Sequence, residues 1–338
     1  MKMVFSHVWA IWWWRHTHVQ ATADSLRTNR CALSIAPSLA KELAQVGARA
    51  VWEEHTNRGI PRSIPMELLS KDAISRSSRT NVCVRRWNGP IPLGSICKAG
   101  DHFTASPEFC FVLVAGSIRR ICAEGLSRWQ HVVVLAELGC ELCGTYSKQD
   151  TRRGFKGRRT PLVSTCQMRD FAASVANERG AKLAYEALLW AIDGLNSPME
   201  TAVYLMLCLP RSWGGLAFPR PKSNWSLPVP ERLWPKTKKR HVMPDLYWPE
   251  WGLAVEFFGA DFHEDHEHED LERLEIEQDM GLKVITFWKD DILDLKRFNA
   301  KAASVARYLG RELPESSSDF KALQQTLQRM LVTHQRWI

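Results

Sequence analysis

The clearest pattern of hydrophobic and polar positions lies in the second half of the chain, where it predicts helices and strands in succession. Two apolar runs, 245–248 and Leu253–Phe258, flank the tetrapeptide PEWG. Proline and glycine at the ends of so short a connection predict an antiparallel hairpin. The other elements predicted here are a helix opened by Ser197 and ended by Pro210, an acidic helix over 264–280, a strand over Lys283–Trp288 and a helix over 298–309.

The pattern in the first half is weaker and predicts an α+β region without internal repeats. We divide the chain into an α+β N-terminal region over 1–195 and an α/β domain over 196–338, in which a central mixed sheet is flanked by helices. The predicted elements of the first region are a helix over 38–46, a helix opening over 107–115, a strand over 131–135 and two helices within 169–193 broken near Gly180. Residues 214–235 hold five prolines and predict an irregular connection.

Composition and charge narrow the class of partner. The 338 residues carry a formal net charge of +8, which favours a polyanion such as DNA. The apolar stretch 3–14 is too short to span a membrane, and its tryptophans 12–14 are predicted to form a buried wall. Nine scattered cysteines fit a reducing cytoplasm. Cys140 and Cys143 lack a second ligand pair and are predicted to be buried thiols rather than a zinc site.

The register of the predicted hairpin determines which side chains share one face of the sheet. If Trp248 pairs with Leu253, Asp245 lies opposite Glu256, and the Cβ atoms of such partners are about 5 Å apart. Two carboxylates at that distance repel each other unless they share a cation, and oxygen ligands suit Mg²⁺ or Mn²⁺. Such an ion polarises a phosphodiester and lowers the pKa of bound water, which is nuclease chemistry. The alternative is structural: Asp245 caps the turn after Pro244, and Glu256 ends a strand in solvent.

Other polar residues near the hairpin extend this hypothesis. His263 follows the second strand closely enough to serve as a general base or to contact a phosphate. Together with His266 and His268 it could form a zinc site, but residues two apart on a helix point to different sides, which disfavours zinc. Asp270 and Arg273 are one helical turn apart, and Arg273 is predicted to orient a carboxylate or a phosphate.

Two basic stretches are candidates for contact with a nucleic-acid backbone. Residues 148–159 (KQDTRRGFKGRR) carry six basic residues and two glycines, as is typical of a mobile loop. Residues 236–240 form a second cluster, whose members are Lys236, Lys238, Lys239 and Arg240. Phosphate contacts from such runs give affinity that depends on salt and little on sequence. Both stretches are also compatible with ordinary solvated surface.

The motifs SPME, PDLYW, LAVEFFG, FH, DLER and GLKVITF follow one another between residue 197 and about residue 295. In order and spacing this region resembles the PD-(D/E)XK phosphodiesterase superfamily and, within it, domains similar to very-short-patch-repair endonucleases. The stretches SPEFCF, ELCGTY and GGLAFP are similar to an uncharacterised group of bacterial proteins that carry this module at the C-terminus. The resemblance implies a restriction-endonuclease-like fold.

The resemblance also implies roles for individual residues. Asp245 and Glu256 would be metal ligands, Glu200 a helix-borne carboxylate beside the metal, and His263 a catalytic histidine. The superfamily's third active-site position, two residues after the strand glutamate, normally carries lysine or an acid, and in this chain it is Phe258. A phenyl ring cannot bind Mg²⁺. Asp261 or His263 could take that role from beyond the strand.

Glu200 has a second interpretation that the residues themselves suggest. Ser197, Pro198 and Glu200 stand where the N-cap, first and third residues of a helix belong, which is the pattern of a capping box. In that motif the glutamate returns to the backbone N–H of the N-cap residue. The sequence leaves both interpretations of Glu200 open.

Three functions remain after these steps. The preferred one is a metal-dependent DNA endonuclease or nicking enzyme of the cytoplasm, with Mg²⁺ or Mn²⁺ as cofactor and a role in DNA repair or defence. The second is a catalytically inactive nucleic-acid-binding or regulatory protein on the same fold, in a defence or toxin–antitoxin setting. The third is a protein-interaction module in which the acidic helix meets a basic partner. A protein partner or a homodimer is also compatible with the sequence.

Overall fold

The computed structural model describes residues 4–16, 23–29, 65–71, 75–77, 82–122, 124–149, 154–258, 264–314 and 317–332. The predicted helix over 38–46 lies outside these residues, as do Asp261 and His263. The chain is mixed α/β and divides into two compact units, one reaching Ala191 and the other beginning at Ile192. The boundary predicted at 195 lies beside this division.

The first unit contains a mixed sheet in the order β3-β4-β2-β1-β6-β5 and a two-stranded pair, β7-β8. Its described strands are β1 (Val4–Phe5), β2 (Met66–Ser70), β3 (Ser75–Ser77), β4 (Val82–Arg86), β5 (Ile96–Ala99), β6 (His102–Ala105), β7 (Ser147–Lys148) and β8 (Phe155–Lys156). Its described helices are α1 (His7–His16), α2 (Ala23–Leu26), α3 (Pro107–Ile121), α4 (Arg128–Cys143), α5 (Thr165–Ser174) and α6 (Ala181–Leu188).

Several predictions for this unit are confirmed, and one is wrong. Helix α3 opens at Pro107, α5 and α6 are separated at Gly180, and residues 12–14 are buried. The predicted strand over 131–135 lies inside α4, which begins after a Ser127–Gln130 capping box and is buried on nearly every side. A helix that is apolar all round loses the periodicity that would distinguish it from a buried strand, so the β-branched run was misleading.

Several buried charged residues of the first unit are paired inside it. Arg15 and Glu141 form a buried two-pronged ion pair, with Nε–Oε1 at 2.8 Å and Nη2–Oε2 at 2.7 Å. Lys148 contacts Glu137, and Arg159 donates to the carbonyl of Glu141, so α4 holds both ends of the basic stretch 148–159. Residues 150–153 of that stretch lie outside the described part. Buried charges are tolerated when paired in this way.

The second unit is built on a four-stranded mixed sheet in the order β14-β13-β12-β9, with a two-stranded pair β10-β11 beside it. Its described strands are β9 (Lys222–Ser223), β10 (Leu227–Pro228), β11 (His241–Val242), β12 (Leu246–Trp248), β13 (Leu253–Phe258) and β14 (Lys283–Trp288). Its described helices are α7 (Pro198–Cys208), α8 (Glu264–Asp279), α9 (Lys289–Leu293), α10 (Leu295–Leu309) and α11 (Ser318–Val332). Short strands β9 and β10 lie within 214–235, where the prolines had predicted an irregular connection.

The predicted hairpin and its register are confirmed. Trp248 pairs with Leu253 and Leu246 with Val255, and the turn between them is a short 3₁₀ segment closed by Gly252 at a φ of 53°. Strand β13 then pairs in parallel with β14 along its whole length. Strand β13 is therefore central, and its residues are buried apart from the half-buried Phe257. A parallel partner reached through α8 is the usual result when a helix connects two strands.

Helices complete the core of the second unit. Helix α7 is buried along almost its whole length, and α11 packs on the turn that follows it. At that turn Gly214 has a φ of 86°, and a Cβ built there would lie 2.5 Å from the backbone carbonyl carbon of Leu323. In the part of the chain that the structure describes, no helix is long and apolar enough to cross a membrane.

This close approach predicts a difference between two glycines in the left-handed region. Gly310→Ala should cost about 1 kcal/mol of unfolding free energy, because its φ of 63° strains an L-residue while the surrounding space is open. Gly214→Ala should cost at least about 2 kcal/mol more, because the new methyl group meets the backbone of α11. Urea unfolding of both full-length variants measures the difference. Equal losses would mean that α11 does not pack on this turn.

Candidate active site

The hairpin brings Asp245 and Glu256 together at the centre of the sheet. Asp245 directly precedes β12, and continuation of the observed pairing places it opposite Glu256 on the same face. Its Oδ2 accepts a hydrogen bond of 2.7 Å from the backbone N–H of Phe257. The backbone pairing of the hairpin ends at Leu246 and Val255. The carboxylate of Asp245 accepts the next backbone N–H of β13 on that side, which is the N–H of Phe257. Asp245 therefore has a structural role across the hairpin, and this bond is not the cap of the turn after Pro244 considered above.

The side chain of Glu256 is fully buried. Its exposed fraction is 0%, so the interpretation of Glu256 as a solvated strand end is wrong. The Nη2 atom of Arg273, on α8, lies 2.8 Å from Glu256 Oε2. Neither oxygen of Glu256 has a hydrogen-bond donor aligned with it among the described residues, so this contact is a charge pair rather than a well-formed hydrogen bond. Arg273 orients a carboxylate, one of its two predicted roles.

Glu277 is a further buried acid, which the sequence did not suggest. It lies one turn after Arg273 on α8, has no exposed surface, and its carboxyl group is within hydrogen-bonding reach of that of Glu256. Both of its oxygens also lack a donor among the described residues. Two acids in contact require a shared proton or a cation, since both cannot be ionised side by side at low cost.

Glu200 joins this group from α7. Its Oε2 accepts hydrogen bonds from the backbone N–H of Asn196 at 2.8 Å and from Asn224 Nδ2 at 3.2 Å. Ser197 Oγ accepts from the backbone N–H of Glu200, which is one half of a capping box. The other half is altered, because the glutamate bonds to the residue before the N-cap. Asn224 also donates its backbone N–H to the carbonyl of Asp245, and so links Glu200 to the hairpin.

The pKa values of these acids are raised because the acids are buried and little positive charge lies near them. Burial, and then the charge of Asp245, raise the pKa of Glu200 to about 8. Burial raises the pKa of Glu277 to about 7. For Glu256, burial and Asp245 raise the pKa well above its usual range, while Arg273 opposes the shift. The site therefore tends to hold protons, and a cation entering it would displace them.

The metal-binding capacity of the described residues is limited. Among side chains that the structure describes, no three His, Cys, Asp or Glu residues lie close enough together to hold one ion. The position of Phe258 is filled by a buried ring whose centroid lies 5.0 Å from that of Trp288. Asp261 and His263, the predicted substitutes for this position, belong to 259–263, outside the described residues, and the side chains of His266 and His268 are likewise not described.

The basic cluster 236–240 is divided between internal and exposed contacts. Lys236 pairs with Asp279 at 2.7 Å and Lys239 approaches Glu272 at 3.7 Å, so two of the four cations bind the acidic face of α8. Lys238 and Arg240 are exposed, and Arg240 lies over the ring of Trp234. The sequence did not reveal these pairs, because the partners are 33 and 43 residues apart and meet only when α8 docks.

Helix α8 is held by an apolar cluster against strand β11 and the segment that precedes it. Val229, Leu233 and Val242 pack with Ile276, the neighbour of Glu277. This contact orients α8 so that Arg273 and Glu277 face Glu256. Ile276 is one of three apolar residues in this acidic helix, with Leu271 and Leu274, and the exposure of Leu271 shows that the sequence alone did not single out the buried side.

Comparisons with protein-family models, with curated proteins and with solved structures gave no match. The function must therefore be argued from the site itself.

The raised pKa of Glu277 predicts a pH-dependent stability. Its ordinary pKa of 4.5 is raised to about 7 in the folded chain, so the folded state keeps a proton that the unfolded chain releases. Its stability contribution is full below about pH 4.5 and is lost as the pH rises through about 7. Glu277→Gln, a neutral side chain of the same shape, should match the wild type near pH 4.5 and be more stable by on the order of 1 kcal/mol at about pH 8.

Thermal unfolding at the two pH values measures this effect, and Glu275→Gln is the matched control because Glu275 is exposed on the same helix. The control should leave the pH dependence unchanged. A Glu277→Gln protein that loses as much stability as the wild type between the two pH values would contradict the assignment.

Proposed function

We propose that the second unit is a metal-dependent phosphodiesterase that cleaves or nicks DNA, on a restriction-endonuclease-like fold. The observation that carries the proposal is the pair Asp245 and Glu256, which lie on adjacent strands and the same face of the sheet. Glu256 is buried, and no hydrogen-bond donor among the described residues is aligned with its carboxylate. An ionised carboxylate in such a place is unfavourable unless a proton or a cation neutralises it. Buried acids with strongly raised pKa values cluster at functional sites, which supports the proposal.

The donor set suits a hard divalent cation. Mg²⁺ commonly binds through one or two carboxylates and retains several waters, so a pair of acids meets its requirement without a third protein ligand. Asp245 and Glu256 would hold Mg²⁺ or Mn²⁺. When bound, the ion supplies a polarised phosphate and a water of lowered pKa. The described residues fit this pairwise mode and do not offer a fuller cage.

The remaining residues have supporting roles in this proposal. Arg273 holds the carboxylate of Glu256 in place, 2.8 Å from its guanidinium. Glu277 lies beside Glu256 and, with a pKa of about 7, is partly ionised near neutral pH, so it is the described group best placed to accept a proton. Glu200 positions the hairpin through Asn224, and its role as a carboxylate beside the metal, implied by the resemblance, stays a prediction. His263 and Asp261 keep their predicted roles as water-activating or metal-binding groups.

DNA is the proposed substrate on grounds of charge. The chain has a formal net charge of +8, and cations of the cluster 236–240 that do not bind α8 are exposed. Backbone phosphates are the partner that such a surface attracts. Every cysteine in the described part of the chain is a free thiol, which supports the cytoplasm as the proposed location.

A catalytically inactive nucleic-acid binder is the second candidate, and one observation favours it. Phe258 packs against Trp288 where the superfamily carries a polar catalytic group, so one contribution to the chemistry is missing from the described residues. The same charge distribution would then serve binding or regulation alone. The third candidate, a protein-interaction module, is weakened because Glu272 and Asp279 of the acidic helix already bind Lys239 and Lys236.

A nicking assay tests the proposal. Purified full-length protein should relax supercoiled plasmid with Mn²⁺ or Mg²⁺ and should be inactive in chelator. Asp245→Asn and Glu256→Gln should each lower the rate about 100-fold or more, since they remove the charge that holds the ion. Asparagine can still accept the bond from Phe257, so the fold is preserved.

Glu250→Gln is the matched control, because Glu250 is exposed in the turn of the same hairpin. It should nick at the wild-type rate. A wild-type protein that binds the plasmid but does not nick it with either metal would establish the inactive binder instead.

A further inference from the structure

The strands beside the candidate site form one continuous ribbon. Strand β9 pairs with β12 and β10 with β11 in a single register, so residues 222–228 run antiparallel to 241–247. We call these two segments the ribbon. Between the two pairings, the backbone N–H of Asn224 donates to the carbonyl of Asp245 at 3.1 Å. Asn224 has a φ of 43°, a left-handed conformation that asparagine tolerates better than most residues.

Trp225 therefore lies next to the acid pair along the backbone. It directly follows Asn224, and the common register places it opposite Pro244, the residue before Asp245. The indole of Trp225 is 48% exposed, and the Nζ atom of Lys222 lies 3.8 Å from its ring centroid. Nearly half of this residue is open to solvent, where an unpaired base could stack on its ring.

A second pair of the same kind lies in the segment that connects the two strands of the ribbon. Trp234 is 41% exposed, and the guanidinium of Arg240 lies 4.6 Å from its ring centroid. Arg240 is held there by bonds to the carbonyls of residues 237–239. Both pairs thus present an aromatic ring with a cation fixed beside it.

The cations in these pairs differ from their neighbours in one respect. Lys236 and Lys239 are neutralised by acids of α8, whereas Lys222 and Arg240 form no ion pair with an acid in the described part of the chain. An ion pair would cancel their attraction for an anion. The ribbon and the segment that connects its strands therefore combine unneutralised positive charge with exposed aromatic rings. This combination fits unpaired nucleotides, whose bases stack on rings while phosphates meet cations.

We infer that the Trp225–Lys222 and Trp234–Arg240 pairs bind single-stranded or unpaired nucleic acid and lead it to the acid pair. This inference rests on the proposed function for the direction of approach, but binding itself does not require cleavage. A duplex would present only its backbone, because its bases are stacked on one another. An acidic protein could use the cations but not the rings, so single-stranded nucleic acid is the occupant that uses both.

The experiment measures binding of full-length protein to a fluorescent oligothymidylate of about a dozen nucleotides and to a duplex of equal length, in chelator. We expect tighter binding to the single strand. Trp225→Ala and Trp234→Ala should each weaken it about 10-fold, and Trp225→Phe should restore most of the loss. Lys222→Gln should make the slope of log affinity against log salt concentration shallower by about one.

The matched control is Tyr308→Ala. Tyr308 is 40% exposed and carries Lys283 at 5.2 Å from its ring centroid, but Lys283 belongs to β14, at the sheet edge opposite β9. This variant should bind as the wild type does. The inference fails if the duplex is bound at least as well, if Trp225→Ala has no effect, or if polyglutamate competes as well as the oligonucleotide. Binding is measured in chelator, which prevents metal-dependent cleavage. The outcome of the nicking assay therefore does not affect this test of binding.

Discussion

The buried carboxyl group of Glu256, and the need to neutralise it, determine how the second unit is arranged. Strand β13 places this group at the centre of the sheet, where the transfer of an unpaired charge from water costs several kcal/mol. Arg273 supplies one positive charge, but Asp245 and Glu277 add negative charge at the same place. The balance leaves protons on the acids. Helix α8 and the apolar cluster around Ile276 are needed to hold Arg273 and Glu277 in position.

Local signals in the sequence predicted the elements that create this arrangement. Pro249 and Gly252 determined the hairpin, its register followed from that turn, and the apolar run of β13 indicated a central strand. The start of α7 was predictable for the same reason. Ser197 begins this helix because its side chain accepts a hydrogen bond from a backbone N–H within one turn. Each of these signals involves residues close in the chain, for which the physics is nearly independent of the rest of the fold.

What the sequence could not provide were contacts between distant segments. Glu277 looked like one acid among many in 264–280 until α8 packed on the sheet and buried it beside Glu256. The link from Asn224 to Glu200 spans 24 residues, and the error at 131–135 arose because a fully buried helix carries no periodic pattern. Charge pairing is similarly non-local, so a basic run alone could not show that Lys236 faces α8.

The same electrostatics link stability to the proposed chemistry. If Glu256 served packing alone, a neutral side chain of equal shape would stabilise the sheet, because no cost of burying charge would remain. Phe258 shows that an apolar residue fits this face of β13 two positions later. Keeping acids here is therefore a cost that a bound ligand would offset. A divalent cation would do so by displacing the protons that burial retains, so ion binding and proton release would be one coupled event, and cation affinity would rise with pH through the range in which Glu277 and Glu200 ionise.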